Sequence, residues 1–270
     1  MRRLLPCSAL IASLAIAGPA PAQTPPTEVR VLAAGSLRAA MTDSAAAFEA
    51  AQPGVKVRLG FGASGLLKDR IAAGEAADVF ASANMTHPEA LAAAGKGGPV
   101  QRFARNAMCA LARPGLEMKP ETIVQKLLDS TVRLGTSTPK ADPAGDYAWM
   151  VFDRIEQAGH AGAAKALAAK ALQLAGGPNS PPPPADRSLY GVLMAQGAAD
   201  VFLTYCTNAV VAAREQPGLQ VLPLPPTIDV SASYGITALT GAPEAARRFV
   251  DFLLAPEGQA VLARHGFAPR

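Results

Sequence analysis

Two serines near the amino-terminal end of the sequence stand where an anion could bind. Ser36 lies in Ala-Ala-Gly-Ser-Leu (33–37) and Ser64 in Phe-Gly-Ala-Ser-Gly-Leu (61–66), each between an apolar segment and an amphipathic one. The free backbone N–H groups and partial positive charge at the start of a helix attract anions. A single serine there is usually only a helix N-cap. Two such serines at consecutive helix starts, each of which adds a hydroxyl donor, predict an anion site.

A third helix start of the same kind is expected in segment 142–148. Pro143, Ala144 and Gly145 open this helix, and the backbone amides of its first turn are left free. In an open parallel sheet, ligands bind beyond the carboxyl ends of the strands, where such helix starts gather. We therefore expect the three helix starts to converge on one anion.

The elements that must position these residues follow from the apolar pattern, in which short apolar segments alternate with amphipathic ones. The predicted strands cover 28–33, 55–61, 77–83, 107–113, 132–135, 200–205, 219–224 and 232–239. The predicted helices cover 36–51, 64–73, 88–94, 145–159, 161–175, 186–196 and 243–264. The alternation predicts an α/β fold in which helices cover a mainly parallel sheet. The proline-rich segment 176–184, here called the proline loop, is predicted to be a rigid loop inside one lobe.

The amino terminus has the pattern of a secretory signal peptide. Two arginines precede an apolar segment, 4–17, and an Ala-Pro-Ala step at 20–22 offers a cleavage site, so the mature chain should begin near Gln23. Export permits a disulfide between Cys109 and Cys206, although the sequence leaves their pairing open. Without the two arginines the net charge of +4 falls to +2, which is too small for a nucleic-acid partner.

Taken together, these segments resemble the periplasmic molybdate-binding proteins, which are the soluble receptors of molybdate ABC transporters. The resemblance spans nearly the whole mature chain and is carried by five segments: 33–37, 61–64, 74–83, 143–148 and 205–209. It implies a two-lobed periplasmic binding protein of type II with the ligand in the cleft. Lobe 1 would comprise 28–108 and 230–270, and lobe 2 would comprise 109–229. The resemblance also implies a monomer with no cofactor and no resident metal, which delivers molybdate or tungstate to a membrane permease.

By position, the resemblance assigns five residues to the oxyanion. Ser36 and Ser64 would supply hydroxyls and amides from one lobe, while Ala144 would supply an amide and Tyr205 a phenol from the other. A further backbone amide falls on Arg187. If the Arg187 side chain faced the ligand instead, it could hold a carboxylate or another oxyanion by two hydrogen bonds. Sulfate or a small organic acid therefore stays open as the ligand, as does a merely solvated arginine.

Molybdate at neutral pH carries no proton, so a site for it needs donors only. A protonated phosphate would also need an acceptor carboxylate, and Asp142, Asp146 and Asp186 are near enough in sequence to supply one.

Two other classes fit the sequence poorly. A hydrolase nucleophile elbow needs a glycine two residues after the serine, and position 66 is leucine. His87, His160 and His265 lie in no catalytic motif, so we do not expect an enzyme. A ferric receptor would typically present adjacent tyrosines, which this sequence lacks.

Overall fold

The computed structural model describes residues 25–182, 184 and 186–270, and the predicted signal peptide, 1–22, lies outside them. The strands are β1 (Thr27–Ala34), β2 (Val55–Gly62), β3 (Val79–Ser82), β4 (Gln101–Ala112), β5 (Leu134–Ser137), β6 (Leu172–Ala175), β7 (Val201–Tyr205), β8 (Gln220–Pro223) and β9 (Ser231–Ala238). The helices are α1 (Arg38–Ala51), α2 (Ser64–Ala72), α3 (Thr86–Ala93), α4 (Ile123–Leu128), α5 (Pro143–Gln157), α6 (Ala163–Lys170), α7 (Leu189–Ala195), α8 (Cys206–Glu215), α9 (Glu244–Leu254) and α10 (Pro256–Arg264).

The strands form one mixed sheet in the order β2-β1-β3-β9-β4-β7-β5-β6, with β8 also paired to β4. We call β1, β2 and β3 the first half of the sheet, and β5, β6 and β7 the second half. Within each half the strands are parallel. When the three strands of a half are numbered in chain order, they lie 2-1-3 across the sheet, as β2-β1-β3 and β6-β5-β7. Such parallel neighbours need helical crossovers, which α1, α2 and α5 to α7 provide. The α/β fold of a two-lobed binding protein, predicted from the sequence, is confirmed.

Strands β4 and β9 join the two halves, and both run antiparallel to their neighbours. Residues 101–107 of β4 pair with β9, whereas Met108–Ala112 pair with β7. The partner of β4 therefore changes between Ala107 and Met108, next to the predicted lobe boundary at 108/109. The lobe boundaries stay a prediction, because a change of strand partner does not by itself delimit a rigid body.

The core lies between the sheet and its helices. Helix α9 illustrates the packing: Ala246, Phe249, Val250 and Leu253 recur at helical spacing and are all buried. The Phe249 ring meets the Phe48 ring of α1 edge-on, with 5.2 Å between the ring centroids. No helix in the described ranges is long and apolar enough to cross a membrane.

Two predicted helices were wrong in extent. The helix expected over 161–175 ends at Lys170, and Leu172–Ala175 form strand β6 beside β5. Pairing with the sheet overrides the high helix propensity of Leu, Gln and Ala in this short segment. The helix expected over 243–264 is two helices, since Pro256 lacks the N–H that an uninterrupted helix needs. Helix α8 was not predicted, although it follows directly on Tyr205.

Cys109 and Cys206 form a disulfide. Cys109 lies in β4, and Cys206 is the first residue of α8. Because Met108 pairs with Tyr205 across the sheet, the bond lies beside a predicted ligand residue. The sequence had left this pairing open, and the tertiary structure decides it by bringing two residues 97 positions apart into contact.

Candidate functional site

A cavity of about 580 Å³ lies at the carboxyl ends of the strands and is lined from both halves of the sheet. Four of the five predicted ligand residues contribute to its wall: Ser36, Ser64, Arg187 and Tyr205. The fifth, Ala144, is buried and is not part of the wall. The proline loop also lines the cavity, through Pro178 and Pro181 among others.

The two serines reach this cavity from consecutive crossovers of the first half. Ser36 lies in a short 3-10 turn, Gly35–Leu37, between β1 and α1, and Ser64 is the first residue of α2. The Ser64 hydroxyl accepts a hydrogen bond from the Ala83 amide at 3.1 Å. Since that bond uses a lone pair, the Ser64 proton stays available to an anion. The serine hydroxyl is therefore oriented as a donor before any ligand arrives.

Tyr205 is the last residue of β7 and reaches the cavity from the second half. It is buried, and its hydroxyl has no hydrogen-bond partner within the described part of the chain. Burial raises the pKa of Tyr205 well above its usual value, so the phenol stays protonated. A buried polar group without a partner is costly, and a bound acceptor would remove that cost. The phenol is thus ready to donate to an anion.

Tyr234 connects Ser36 to Asn106 through hydrogen bonds. Its hydroxyl lies 2.9 Å from the Ser36 hydroxyl and 3.4 Å from the Asn106 amide nitrogen, which donates to Thr207 at 2.9 Å. This chain of hydrogen bonds runs from β1–α1 through β9 and β4 to the first turn of α8. No motif in the sequence marks Tyr234 as a partner of Ser36.

Asp142 lines the cavity and is the N-cap of α5. Its carboxylate accepts a hydrogen bond from the Ala144 amide at 3.1 Å, so the amide predicted to hold the oxyanion already has a partner. Burial raises the pKa of Asp142, against the opposing effects of hydrogen bonds from the Ala144 amide and the Ser137 side chain. The sequence had named Asp142, with Asp146 and Asp186, as a possible acceptor for a protonated phosphate, because nothing in a linear pattern shows which of these side chains turns toward the ligand.

The close packing around α5 explains the glycine of the Pro-Ala-Gly motif. A Cβ on Gly145 would lie 2.5 Å from the Pro139 nitrogen and 2.7 Å from the Ser137 carbonyl oxygen. Only glycine lets the first turn of α5 approach the end of β5 this closely. The motif therefore fixes the position of Asp142 relative to β5.

Charged side chains of both signs surround the cavity. Arg38 stacks over the Phe61 ring at 4.5 Å, and Arg187 is exposed in the segment before α7. Glu215 also contributes to the wall and accepts two hydrogen bonds from the Ser188 amide. The two arginines attract anions toward the cavity, whereas the carboxylates limit which anions can enter.

Neither a hydrolase nor a ferric receptor gains support from the arrangement of these residues. The Ser64 hydroxyl is paired with a backbone amide rather than with a histidine. His265 lines the cavity but is bonded to Asp43 at 2.8 Å. Among the described residues, no cluster of three or more His, Cys, Asp or Glu side chains could hold a metal ion.

Comparison with known families agrees with this geometry. Residues 29–268 match the family described as bacterial extracellular solute-binding protein. The chain belongs to that family. Members of this family are solute-binding proteins by description.

Two relatives are similar to this solute-binding protein over most of their length. An uncharacterised protein of Pasteurella multocida is 38% identical over 243 residues, which are 89% of this chain and 98% of the relative. The molybdate-binding protein ModA of Mycobacterium tuberculosis is 30% identical in an alignment 271 positions long, gaps included, which covers 96% of this chain and 94% of ModA. The resemblance to molybdate-binding proteins predicted from the sequence is therefore confirmed.

Solved structures share the fold of this solute-binding protein. The periplasmic molybdate-binding protein of Azotobacter vinelandii superposes with a TM-score of 0.72 at 21% identity, covering 90% of this chain and 99% of that one. The sulfate-binding protein SubI of Mycobacterium tuberculosis gives 0.76 at 19% identity, covering 90% and 87%. At these identities the likeness concerns the fold alone.

Proposed function

We propose that this solute-binding protein captures a tetrahedral oxyanion, molybdate or tungstate, in the periplasm and delivers it to the membrane permease of an ABC transporter. Ser36, Ser64 and Tyr205 would hold the oxyanion through their hydroxyls. The mature protein would be a monomer that begins near Gln23, after removal of the signal peptide 1–22. The family supports the solute-binding role, and the relative ModA supports molybdate as its solute.

The observation that carries the proposal is the buried hydroxyl of Tyr205, which has no partner among the described residues. It is a donor at the wall of a cavity that also contains two serine hydroxyls. A proton-free dianion offers only acceptors, so it matches a set of donors and would give the Tyr205 hydroxyl a partner. The Arg187 backbone amide and the Ala144 amide would complete the shell, the latter only if Asp142 releases it.

Lobe closure would follow from the same geometry. With lobe 1 at 28–108 and 230–270 and lobe 2 at 109–229, the serines and Tyr205 belong to different lobes. An anion bound to both would draw the lobes together by a hinge motion in β4 and β9. The permease would then recognise the closed form.

A second ligand class calls for a direct comparison because Arg187 is exposed at the cavity wall. Its guanidinium could hold the carboxylate of a small organic acid through two hydrogen bonds. Sulfate is the other alternative within the same fold. These ligands differ from molybdate in size, shape or charge, so a single panel separates them.

The test is a thermal-shift panel of molybdate, tungstate, sulfate, phosphate and small carboxylates, followed by calorimetry on the best ligand. Ser64→Ala and Tyr205→Phe should each weaken binding of molybdate by about 1.5–3 kcal/mol, since each removes a hydrogen bond to a charged group. Tyr147→Phe is the matched control. Tyr147 packs edge-on against Tyr205, with 6.2 Å between the ring centroids, and is not part of the cavity wall.

The expected result is a melting-point increase with molybdate or tungstate that both hydroxyl variants reduce and Tyr147→Phe retains. A panel in which only carboxylates stabilise the protein would refute the oxyanion and favour the Arg187 alternative. Undiminished molybdate affinity in both hydroxyl variants would refute the assigned residues.

A further inference from the structure

Asp142 puts a carboxyl group into a cavity whose other predicted ligand groups are donors. It contributes to the same wall as Ser36, Ser64 and Tyr205. One of its oxygens accepts the Ala144 amide at 3.1 Å. The other, Oδ2, faces Gly176, where an added Cβ would lie 2.3 Å from it. Gly176 also has a positive φ of 70°, so glycine is needed there on both counts.

The charge of this carboxyl matters for any anion that enters. An ionised carboxylate and a dianion in one partly desolvated cavity repel each other. A proton placed between them converts the repulsion into a hydrogen bond. The proton can come from either side: from the Asp142 carboxylic acid or from an anion that already carries an O–H group. In both cases the complex contains the same number of protons.

We propose that Asp142 is a specificity-determining residue whose carboxyl shares one proton with the bound oxyanion. This inference rests on the proposed function. A proton-free dianion such as molybdate or sulfate would bind with the uptake of one proton, which Asp142 carries and donates to an anion oxygen. Hydrogen phosphate would bring its own proton and donate it to the Asp142 carboxylate. The site would therefore favour proton-bearing oxyanions over proton-free ones as pH rises.

The groups around Asp142 allow it to take up this proton. On its own helix, the Asp146 carboxylate is a like charge, so it favours protonation of Asp142. The tyrosines on α7, β7 and β9 stay neutral because burial raises their pKa values: Tyr190 to about 12, and Tyr205 and Tyr234 further. The Ser137 hydroxyl of β5 is an uncharged donor. The other charged or titratable cavity-lining groups are Arg38, Asp186, Arg187, Glu215 and His265.

Among the residues that act on the titration of Asp142, none is a cation. Burial is the largest effect, and it raises the pKa of Asp142. A carboxyl in this environment can hold a proton at a pH where an exposed aspartate could not. The position of Asp142 in the cavity wall and the absence of a cation among these residues therefore both favour a protonated carboxyl.

The experiment measures binding of molybdate and of phosphate by calorimetry from pH 5 to pH 9, in buffers with different ionisation enthalpies. For the wild-type protein, molybdate affinity should fall about tenfold per pH unit above the pKa of Asp142, with uptake approaching one proton per anion. Phosphate binding should take up fewer protons per anion than molybdate binding at the same pH. Asp142→Asn should bind molybdate with little dependence on pH and without proton uptake.

His265→Gln is the matched control, because it replaces an imidazole that lines the same cavity without touching the Asp142 carboxyl. The slope with molybdate should persist in this variant. Tight molybdate binding with a flat pH profile in the wild-type protein, or an equal slope in Asp142→Asn, would overturn the role of Asp142 and leave the proposed function standing. Absence of binding to every oxyanion would instead overturn the proposed function.

A second readout needs no ligand. Because the pKa of Asp142 is raised in the folded state, the folded protein binds more protons than the unfolded chain, and stability falls as pH rises through that pKa. Asp142→Asn should remove this loss, so its free energy of unfolding relative to wild type should increase from pH 4 to pH 8. An unchanged difference across that range would contradict the assignment.

Discussion

The two halves of the sheet repeat one arrangement at the amino ends of their strands and differ at the carboxyl ends. Asp78 precedes β3 and accepts the Arg30 amide of β1 at 2.7 Å. Asp200 precedes β7 and accepts the Arg133 amide, just before β5, at 2.9 Å. Each aspartate thus ties a strand to its parallel neighbour, and in both halves an arginine side chain completes the pair.

At the cavity the two halves of the sheet differ. The first half contributes serine hydroxyls, which do not titrate, whereas the second contributes Asp142, Arg187 and Tyr205. The contrast between Asp142 and Asp200 within the second half is instructive. Hydrogen bonds from Arg133 hold the pKa of Asp200 well below its usual range, while burial raises the pKa of Asp142. Asp200 therefore favours the ionised form that holds the two arginines, whereas the environment of Asp142 favours the protonated form.

The largest expected effect concerns the disulfide, which joins β4 to the second half only. Replacing both Cys109 and Cys206 with serine should lower the free energy of unfolding by about 2–4 kcal/mol, because the bond closes a long loop in the unfolded chain. Urea unfolding measures the loss, and wild-type protein under reducing conditions should match the double variant. Equal stability of oxidised and reduced protein would mean that the second half needs no covalent support.

The next effect tests whether the paired aspartates are equivalent. Asp200→Asn should lower the free energy of unfolding by about 2–3 kcal/mol, since Asp200 accepts charge-assisted hydrogen bonds from Arg113 and Arg133. Asp78→Asn should cost about 1 kcal/mol, because its single arginine lies 3.4 Å away and is half exposed. Urea unfolding of the two variants side by side measures both losses, and equal losses would mean that the second arginine adds nothing.

The effect of pH on Asp200 has a definite sign. Its folded pKa is lowered, so its contribution is present above the unfolded pKa of about 3.9 and is lost as pH falls toward the folded value. The difference between wild type and Asp200→Asn should therefore shrink below about pH 4. A difference that persists unchanged at pH 2–3 would indicate that packing rather than charge is responsible.

The last effect concerns ligand binding rather than stability, through the contact between the halves. The Gly65 amide of α2 donates to the Ala141 carbonyl at 2.9 Å, and a Cβ on Gly65 would lie 2.3 Å from the Lys140 carbonyl oxygen. Gly65→Ala should push the halves apart and weaken anion binding by about 1–3 kcal/mol, as overpacking does. Gly191→Ala is the control, because the nearest atom to its Cβ would be 3.4 Å away. Equal affinities in calorimetry would show that this contact is not needed for binding.

Much of the fold follows from sequence pattern, and the exceptions share a cause. Strands β1, β2 and β7 and helices α1, α2 and α5 are predicted because their apolar periodicity is strong and glycine, proline or serine marks their ends. Strand β6 was predicted as helix because its four residues, Leu-Gln-Leu-Ala, are strong helix formers, and only pairing with β5 makes them a strand. Short segments at a sheet edge carry too little local information to identify themselves.

The candidate site divides in the same way. Ser36, Ser64 and Tyr205 could be named from the sequence because helix starts and a family resemblance mark them. The bond between Tyr234 and Ser36 could not be predicted, because it joins residues 198 positions apart. Asp142 could be named only as one of three nearby carboxylates, because a linear pattern does not show which side chain meets the Ala144 amide. The roles of all the ligand residues stay predictions until binding is measured.

The sequence alone determined that this chain has an α/β fold with serine-bearing helix starts, because those features depend on local periodicity and on residue types within a few positions. Only the tertiary structure decided that Cys109 meets Cys206, that Ser36 meets Tyr234 and that Asp142 takes the Ala144 amide and turns toward the cavity. Such contacts depend on how distant strands pack and on which side chains are desolvated together, and no linear pattern records either.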